Sequence, residues 1–521
     1  MLKDFNKKKF GVVNTPPKTA EYIIRRLGSI KKNQKILDPC TGSGVFVKKL
    51  LEFGVEINQI FSYDIIPYYK DDMEKLGISF KIQDTLLDIY PDSYNKFDFI
   101  VGNPPYLNKS SDYVRKHKVK LSKIYGTINA HETYAMFIVN SIWRLKEGGK
   151  LGFITSDSFL TLITHKKLRK FILNHCIINE ILLAPKNLFS NQKVSTSPVI
   201  IILTKCSGSK NRRIRESNIM RIIPRVSSEE EYNTPPSITK VMQKKYNSLP
   251  FNLFFSEVED EIIELFEKTP KLEEYLQGYI GMHTHNNRKY IAAVEDTELE
   301  LVFRKRNEKI TDLNRKYHII SEKDFDSSQW KPYLKRGGDD QYYRMIIEAL
   351  DWSKESIKNY DIPLNVPFEK EGIVISGVSS RLAARYMPEN CYWDSNKAIG
   401  FILRDNKFSI CYMLGLLNSS LYNYLAKGII NNTNSIQITG IHALPFIEPD
   451  TETQYKIESL ANEIINGKKY NKDFNYIEVQ KKIDSLIYDM YSKRFNFPSE
   501  LKKKIDKKYS IYKNELINAI N

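Results

Sequence analysis

The pattern of apolar runs predicts an α/β fold: a doubly wound, mostly parallel sheet, followed by a mixed α+β domain and C-terminal helices. Three observations predict it. Short apolar runs alternate with helical patterns through roughly the first two hundred residues, the alternation stops after Lys205, and the last seventy or so residues read as Lys-rich helix. Strands alternating with helices favour parallel pairing with helices on both faces.

The predicted strands are Lys35–Asp38, Gln59–Asp64, Ile78–Gln83, Phe97–Gly102, Lys150–Thr155, Ile177–Leu183 and Val199–Thr204. Helical patterns such as Thr19–Leu27, Gly44–Phe53, Tyr134–Leu145 and Lys166–Asn174 lie between them. In such sheets ligands bind beyond the carboxyl ends of the strands, so polar residues there are the first candidates for a site. Cys206–Arg215 is rich in Ser, Gly and basic residues, and Ser227–Pro236 is acidic and then Pro-rich, which suggests a boundary. The expected division is a first domain over 1–245, a second over 246–450 and a helical segment over 451–521. In the last, Ile477, Ile483, Leu486, Ile487 and Met490 form a stripe that reads as packing on its own protein.

With 521 residues, of which 41% are hydrophobic, the chain supports two or three cores and is not disordered in bulk. Lys and Arg outnumber Asp and Glu by 79 to 62, which favours a polyanionic partner, although a Lys-rich codon bias gives the same excess. The 32 Tyr and 26 Phe interleaved with those cations tilt the reading toward nucleic acid, because aromatic faces stack on bases. Cys40, Cys176, Cys206, Cys391 and Cys411 are far apart and form no CxxC pair, so neither a disulfide framework nor a metal site is expected. No apolar run is long enough for a membrane span and no signal peptide opens the chain, so a cytoplasmic protein is expected.

Four strand ends carry the chemistry. Asp38-Pro-Cys-Thr-Gly-Ser-Gly44 follows the first strand, where glycines let the backbone approach a ligand at a helix N-terminus; a plain tight turn is the alternative. Its spacing is not GxGxxG, so a nicotinamide dinucleotide fits poorly. Asp64 ends the second strand about twenty residues on, where a carboxylate takes ribose hydroxyls. Asp84 follows the third, placed either to accept from an adenine amino group or to cap the next segment.

Asn103-Pro-Pro-Tyr106, after the fourth strand, weighs most, since a given tetrapeptide is rare by chance. Adenine N6 is a poor nucleophile because its lone pair is delocalised into the ring. If the Asn103 side-chain oxygen and the Pro104 carbonyl accept its hydrogens, the nitrogen becomes tetrahedral and its lone pair turns toward a sulfonium methyl. Pro104 and Pro105 fix φ and so hold that carbonyl, and Tyr106 offers a stacking face. A base inside a duplex cannot reach such a pocket without being flipped out.

The order of these motifs resembles the gamma class of N6-adenine DNA methyltransferases, of the TaqI kind. The resemblance implies a Rossmann-like methyltransferase sheet, S-adenosylmethionine as cofactor, and a C-terminal target recognition domain. It implies that Thr15, in Gly11-Val-Val-Asn-Thr-Pro-Pro, contacts the cofactor, and that Asp38, Cys40, Gly42 and Gly44 belong to the loop at its methionine end. Asp64 and Asp84 fall at the ribose and adenine ends. Phe137 matches an aromatic packed on the cofactor adenine, and Phe189 one that sandwiches the flipped base against Tyr106; read bare, both are ordinary core residues. Ser190 departs from the Pro that often follows this Phe.

The second-domain resemblance rests on Trp330-Lys-Pro-Tyr-Leu-Lys-Arg-Gly-Gly-Asp, Leu414-Gly-Leu-Leu-Asn-Ser-Ser-Leu and Ile436-Gln-Ile-Thr-Gly-Ile-His-Ala-Leu-Pro. Its candidate contacts to double-stranded DNA are Arg288, Lys335, Arg336 and Arg381, within a pool that includes His283, His285, Asn286, Asn287, Arg385 and Lys397. Arg115, Lys116, Lys118 and Lys120 are expected to line the DNA cleft, with a solvated loop as the alternative. The expectation is a monomeric DNA adenine-N6 methyltransferase, working with a cognate restriction endonuclease or as an orphan. Rivals are RNA or protein-glutamine methyltransferases and an inert DNA-specificity protein. No nuclease signature is recognised, and Asn103 speaks against cytosine-N4 chemistry.

Overall fold

The computed structural model describes residues 11–518, apart from 129–131, 193–196, 255–258, 336–337, 396 and 432–433. Arg336 therefore lies outside the described residues. The chain divides into two compact units, Met1–Glu259 and Asp260–Asn521. None of the described helices is long and apolar enough to cross a membrane.

The first unit is built on a nine-stranded sheet. Its strands are β1 (Ile36–Asp38), β2 (Ile60–Asp64), β3 (Ser79–Ile82), β4 (Phe97–Gly102), β5 (Leu145–Ser156), β6 (Cys176–Leu183), β7 (Pro198–Lys205), β8 (Ile219–Ile223) and β9 (Thr239–Met242). The spatial order is 3-2-1-4-5-7-6-8-9. From β3 to β5 every pairing is parallel; β7 runs antiparallel to both β5 and β6. The middle strands are apolar on both faces, as a covered parallel sheet requires, and Ile36, Leu37, Ile100, Val101, Phe153 and Ile154 are fully buried.

The helices that frame the site are α1 (Pro17–Leu27), α2 (Val45–Glu52), α3 (Lys70–Lys75), α4 (Asp112–Tyr125) and α5 (Thr133–Arg144). Strand order reverses between β1 and β4, so the loops that follow these two strands diverge and leave a crevice. Asp38 ends β1 and Asn103 follows β4, one on each side of it.

Two stretches differ from the sequence reading. The segment after Lys205 is not a linker: it adds β8 parallel to β6, then β9. Its basic texture misled because Arg215 is buried and donates to the carbonyls of Leu173, Cys206 and Gly208 at 3.1, 2.6 and 2.9 Å. Residues from 246 also pack on the first unit, where Arg169 donates to the Phe251 carbonyl and Phe254 N–H to that of Leu160.

The second unit holds two sheets. Its strands are β10 (Leu276–Ile280), β11 (Ile291–Val294), β12 (His318–Ile320), β13 (Trp330–Leu334), β14 (Glu348–Asp351), β15 (Gly372–Ser376), β16 (Ala384–Met387), β17 (Tyr392–Trp393) and β18 (Ala398–Leu403). One sheet is ordered β10-β18-β15-β16 and the other β12-β11-β14-β13-β17. Helices Thr451–Tyr470, Ile477–Phe495 and Ser499–Tyr509 belong to this same unit. In Ile477–Phe495 the buried face runs through Val479, Gln480, Ile483, Asp484, Ile487 and Tyr491, rather than through Leu486 and Met490. Polar residues sit there because they are satisfied. Asp484 accepts from Ser420 N–H and Gln480 Nε2 at 2.9 Å each and from the Tyr512 hydroxyl at 3.0 Å, and burial holds its pKa near 6.

Candidate active site

A cleft of about 900 Å³, its open mouth included, lies at the crevice between β1 and β4. Its wall includes Thr15, Cys40, Gly42, Asp64, Asp84, Asn103, Pro105 and Phe137, which the sequence had singled out; Asp38 is buried behind the lining residue Cys40, whose N–H it accepts. It also includes Gln83, Tyr113 and Thr133, which it had not.

The loop after β1 explains the glycines. Gly42 and Gly44 have φ of +51° and +76°, a region costly for other residues, and Gly44 leads directly into α2. A Cβ on Gly44 would come within 2.4 Å of Met73 Cε, so the glycine also lets α3 approach. The Gly42 N–H donates to Asp64 Oδ2 at 2.8 Å, while Asp64 Oδ1 accepts from Ile66 N–H at 2.9 Å. The loop after β1 and the end of β2 are thus tied together.

Asp38 is buried; its Oδ1 accepts from Cys40 N–H at 3.2 Å and its Oδ2 has no partner. Burial, reinforced by the neighbouring Asp64 charge, pushes its pKa up to about 8. Burial also raises Asp64, against the backbone N–H groups that favour its ionised form. The Cys40 thiol is pushed well up by burial and by Asp38 and Asp64, so it is no thiolate nucleophile.

Asp84 takes up the capping role open to it by sequence and also borders the cleft. Its Oδ1 accepts from the N–H groups of Leu86 and Leu87 at 3.1 and 3.2 Å, capping the next turn, and the carboxylate still faces the cleft. The Tyr113 hydroxyl, from α4, reaches both oxygens at 3.0 Å. Burial raises the Asp84 pKa. Beside it, Gln83 Oε1 is buried without a partner.

Asn103 is held by one end. Its Nδ2 donates to the Val13 carbonyl at 3.0 Å, and its Oδ1 is buried with no partner. The following turn is fixed by Thr133, whose hydroxyl donates to the Pro105 carbonyl and accepts Leu107 N–H at 3.1 Å. Val13 is steadied in turn, because Gln192 pairs with both the N–H and the carbonyl of Asn14, at 2.7 and 2.9 Å. Tyr106 and Phe189 lie ring to ring, centroids 6.4 Å apart and planes inclined by 53°. Phe189 is part of the hydrophobic core, and the Tyr106 hydroxyl is buried without a partner.

Arg115, Lys116, Lys118 and Lys120 lie exposed on α4, so the stretch is a helix and not the solvated loop that was the alternative to a DNA-facing surface. It is capped by Ser111 Oγ accepting Val114 N–H and buries Val114, Leu121 and Tyr125. Arg115 pairs with Asp112 at 2.6 Å in water, a weak bond that leaves it available.

In the second unit Arg288 is exposed and donates to the Arg315 carbonyl. Lys335 Nζ bridges Asn287 Oδ1 and Asp394 Oδ2 at 2.9 and 2.7 Å. His285, at φ +57°, pairs with Asp361 at 2.8 Å, beside His283 and the exposed Asn286. Lys397 is exposed. Arg381 is half-buried, its pKa lowered by desolvation. Arg385 is buried, and its Nε and Nη2 have no hydrogen-bond partner.

Residues 46–189 match the Eco57I restriction-modification methylase family, and residues 312–446 match the TaqI-like C-terminal specificity domain. The chain is thus similar to a restriction-modification methylase in its first unit and to a TaqI-like specificity domain in its second. Among curated relatives, the chain is 29% identical over 260 residues to the Type II methyltransferase M.HincII of Haemophilus influenzae, covering 45% of this chain and 48% of that one. It is 26% identical over 261 residues to the Type II restriction enzyme and methyltransferase RM.Eco57I of Escherichia coli, covering 48% of this chain and 24% of that one. The chain spans about half the length of the curated relatives it matches first. In fold it is similar to a nuclease-deletion mutant of the Type ISP restriction-modification enzyme LlaGI solved with a DNA substrate mimic. That likeness has a TM-score of 0.53 at 15% identity, over 89% of this chain and 55% of that one.

Proposed function

We propose that the chain is a site-specific DNA methyltransferase that moves the methyl group of S-adenosylmethionine to N6 of a flipped adenine. The observation that carries this reading is Asn103 Oδ1, a buried acceptor without a partner at the edge of a cleft lined by the carboxylates of Asp64 and Asp84. Buried polar groups are normally satisfied, so an orphan acceptor in a cleft awaits a donor from a ligand.

The cleft fits this cofactor chemically. Asp38 Oδ2 and Gln83 Oε1 are further orphan acceptors, and Asp64 and Asp84 add carboxylates at successive strand ends. Asp38, Cys40, Gly42 and Gly44 would hold the methionine end, Asp64 the ribose and Asp84 the adenine amino group, with Thr15 and Phe137 completing the wall. When bound, S-adenosylmethionine supplies an electrophilic methyl on a sulfonium.

Asn103 Oδ1 and the Pro104 carbonyl accept the two N6 hydrogens and turn the lone pair outward. Thr133, by occupying the Pro105 carbonyl, keeps the turn from rotating. Once methylated, the nitrogen loses its proton to water without a dedicated base. The target base enters between Tyr106 and Phe189. Two stacking distances need about 6.8 Å between parallel planes, so the tilted contact at 6.4 Å has to open as the base arrives. The exposed cations of α4 hold phosphates, and the second unit reads bases through residues such as Arg288, ahead of the TaqI-like specificity region, and Lys335 and Arg381 within it. In this reading the enzyme acts as a monomer on double-stranded DNA, protecting sites from a cognate endonuclease.

The test uses purified protein, labelled S-adenosylmethionine and unmethylated genomic DNA, with the modified base mapped by single-molecule sequencing. Label in N6-methyladenine at one recurring sequence is expected. Label confined to RNA or protein, or to cytosine, would overturn the assignment.

A further inference from the structure

We propose that Tyr113 is a positioning residue that sets the site's preference for a 6-amino purine by holding Asp84, a role that rests on the methyltransferase reading above. Asp84 Oδ1 is already filled by Leu86 N–H, Leu87 N–H and a share of the Tyr113 hydroxyl hydrogen. Oδ2 has only the other share of that hydrogen, at 3.0 Å, and so keeps room for one more donor. Both residues line the cleft. The carboxylate thus stands in one orientation with one oxygen spoken for and one open, which suits a single N–H from an exocyclic amino group.

Tyr113 does this from α4, not from the segment after β3 in which Asp84 lies. Without its hydroxyl, Asp84 is held through Oδ1 alone by the Leu86 and Leu87 N–H groups, Oδ2 loses its only tether along the soft terminal torsion, and a donor would have to order that oxygen as it binds. Tyr125 provides a second anchor of different consequence. Its hydroxyl donates to the Leu86 carbonyl at 3.0 Å and accepts from Asn140 Nδ2 at 2.9 Å, steadying the same turn without touching the carboxylate. The two tyrosines therefore separate positioning of Asp84 from support of the loop.

The experiment measures binding of S-adenosylhomocysteine and of S-inosylhomocysteine, whose purine has an oxo group in place of the amino group, by calorimetry. The intact chain should prefer the amino ligand by thirtyfold or more, because a carboxylate facing an oxo group is repelled. Tyr113→Phe should weaken S-adenosylhomocysteine about tenfold and change S-inosylhomocysteine less than twofold, so the preference collapses. Tyr125→Phe should shift both ligands by the same factor. Equal weakening of both ligands by Tyr113→Phe, or an unchanged preference, would overturn the role. A wild-type chain that binds both ligands equally would remove Asp84 as the amino reader and Tyr113 with it. One that binds neither would overturn the cofactor reading itself.

Discussion

Replacing Asp38 with Asn should stabilise the ligand-free protein and abolish cofactor binding. The Asp38 carboxyl is 1% exposed, and burial raises its pKa from 3.8 to about 8. Between those values the folded chain keeps a proton that the unfolded chain has released. Its stability contribution is therefore complete at low pH and is lost as pH rises from about 4 to about 8. At about 1.4 kcal/mol per pKa unit, the accumulated penalty at pH 8 is on the order of 5 kcal/mol. Asparagine keeps the acceptor for Cys40 N–H and has no charge to bury. Asp64 and Cys40 titrate in both proteins and so cancel from the comparison, apart from their coupling to Asp38. For a unit of this size each kcal/mol moves Tm by about 2–4 °C. The gap in Tm between Asp38→Asn and wild type should thus widen by on the order of 10 °C from pH 5 to pH 8. Thermal melts at four pH values measure it, and calorimetry with S-adenosylhomocysteine should show at least a hundredfold loss of affinity. A gap that stays flat with pH would refute the buried, protonated Asp38.

Asn103→Ala removes the orphan acceptor and the bond to the Val13 carbonyl. It should cost about 10²–10³ in kcat, the usual effect of removing one preorganised polar group that faces the transition state, and leave cofactor affinity within a few-fold; turnover within tenfold of wild type would exclude the mechanism. Replacing Arg115, Lys116, Lys118 and Lys120 together with Ala should flatten the salt dependence of DNA binding, by about 0.9 in log–log slope for each phosphate left without its cation. An unchanged slope in anisotropy titrations would take α4 out of the interface. Gly44→Ala forces an alanine to φ +76° with its Cβ against Met73 and should lower stability by about 1–3 kcal/mol in urea unfolding. Tyr106→Ala is the cleaner probe of base capture, because Phe189→Ala would also open the core at about 3–5 kcal/mol; it should raise KM for DNA and lower kcat, and parity in both would unseat the sandwich.

The strand ends were legible in the chain because a parallel strand is a short apolar run and its polar terminus follows at once. Asp38 and Asp64 end such runs, Asp84 and Asn103 follow them closely, and a doubly wound sheet carries all of these ends to one edge. Patterning over a few residues was enough, since parallel pairing and covered faces are its direct consequence.

Only the tertiary structure decided what those residues hold. Tyr113 and Thr133 lie 29 and 28 residues from Asp84 and Pro105, and Gln192 lies 178 from Asn14; no local periodicity records such pairings. The same holds for Arg215 and Asp484, whose charged side chains read as surface until their partners enclose them. Composition states how polar a segment is, but burial depends on whether distant donors and acceptors converge on it. That convergence is a property of the folded chain, and it is why the edge of the site could be read in one dimension and its support only in three.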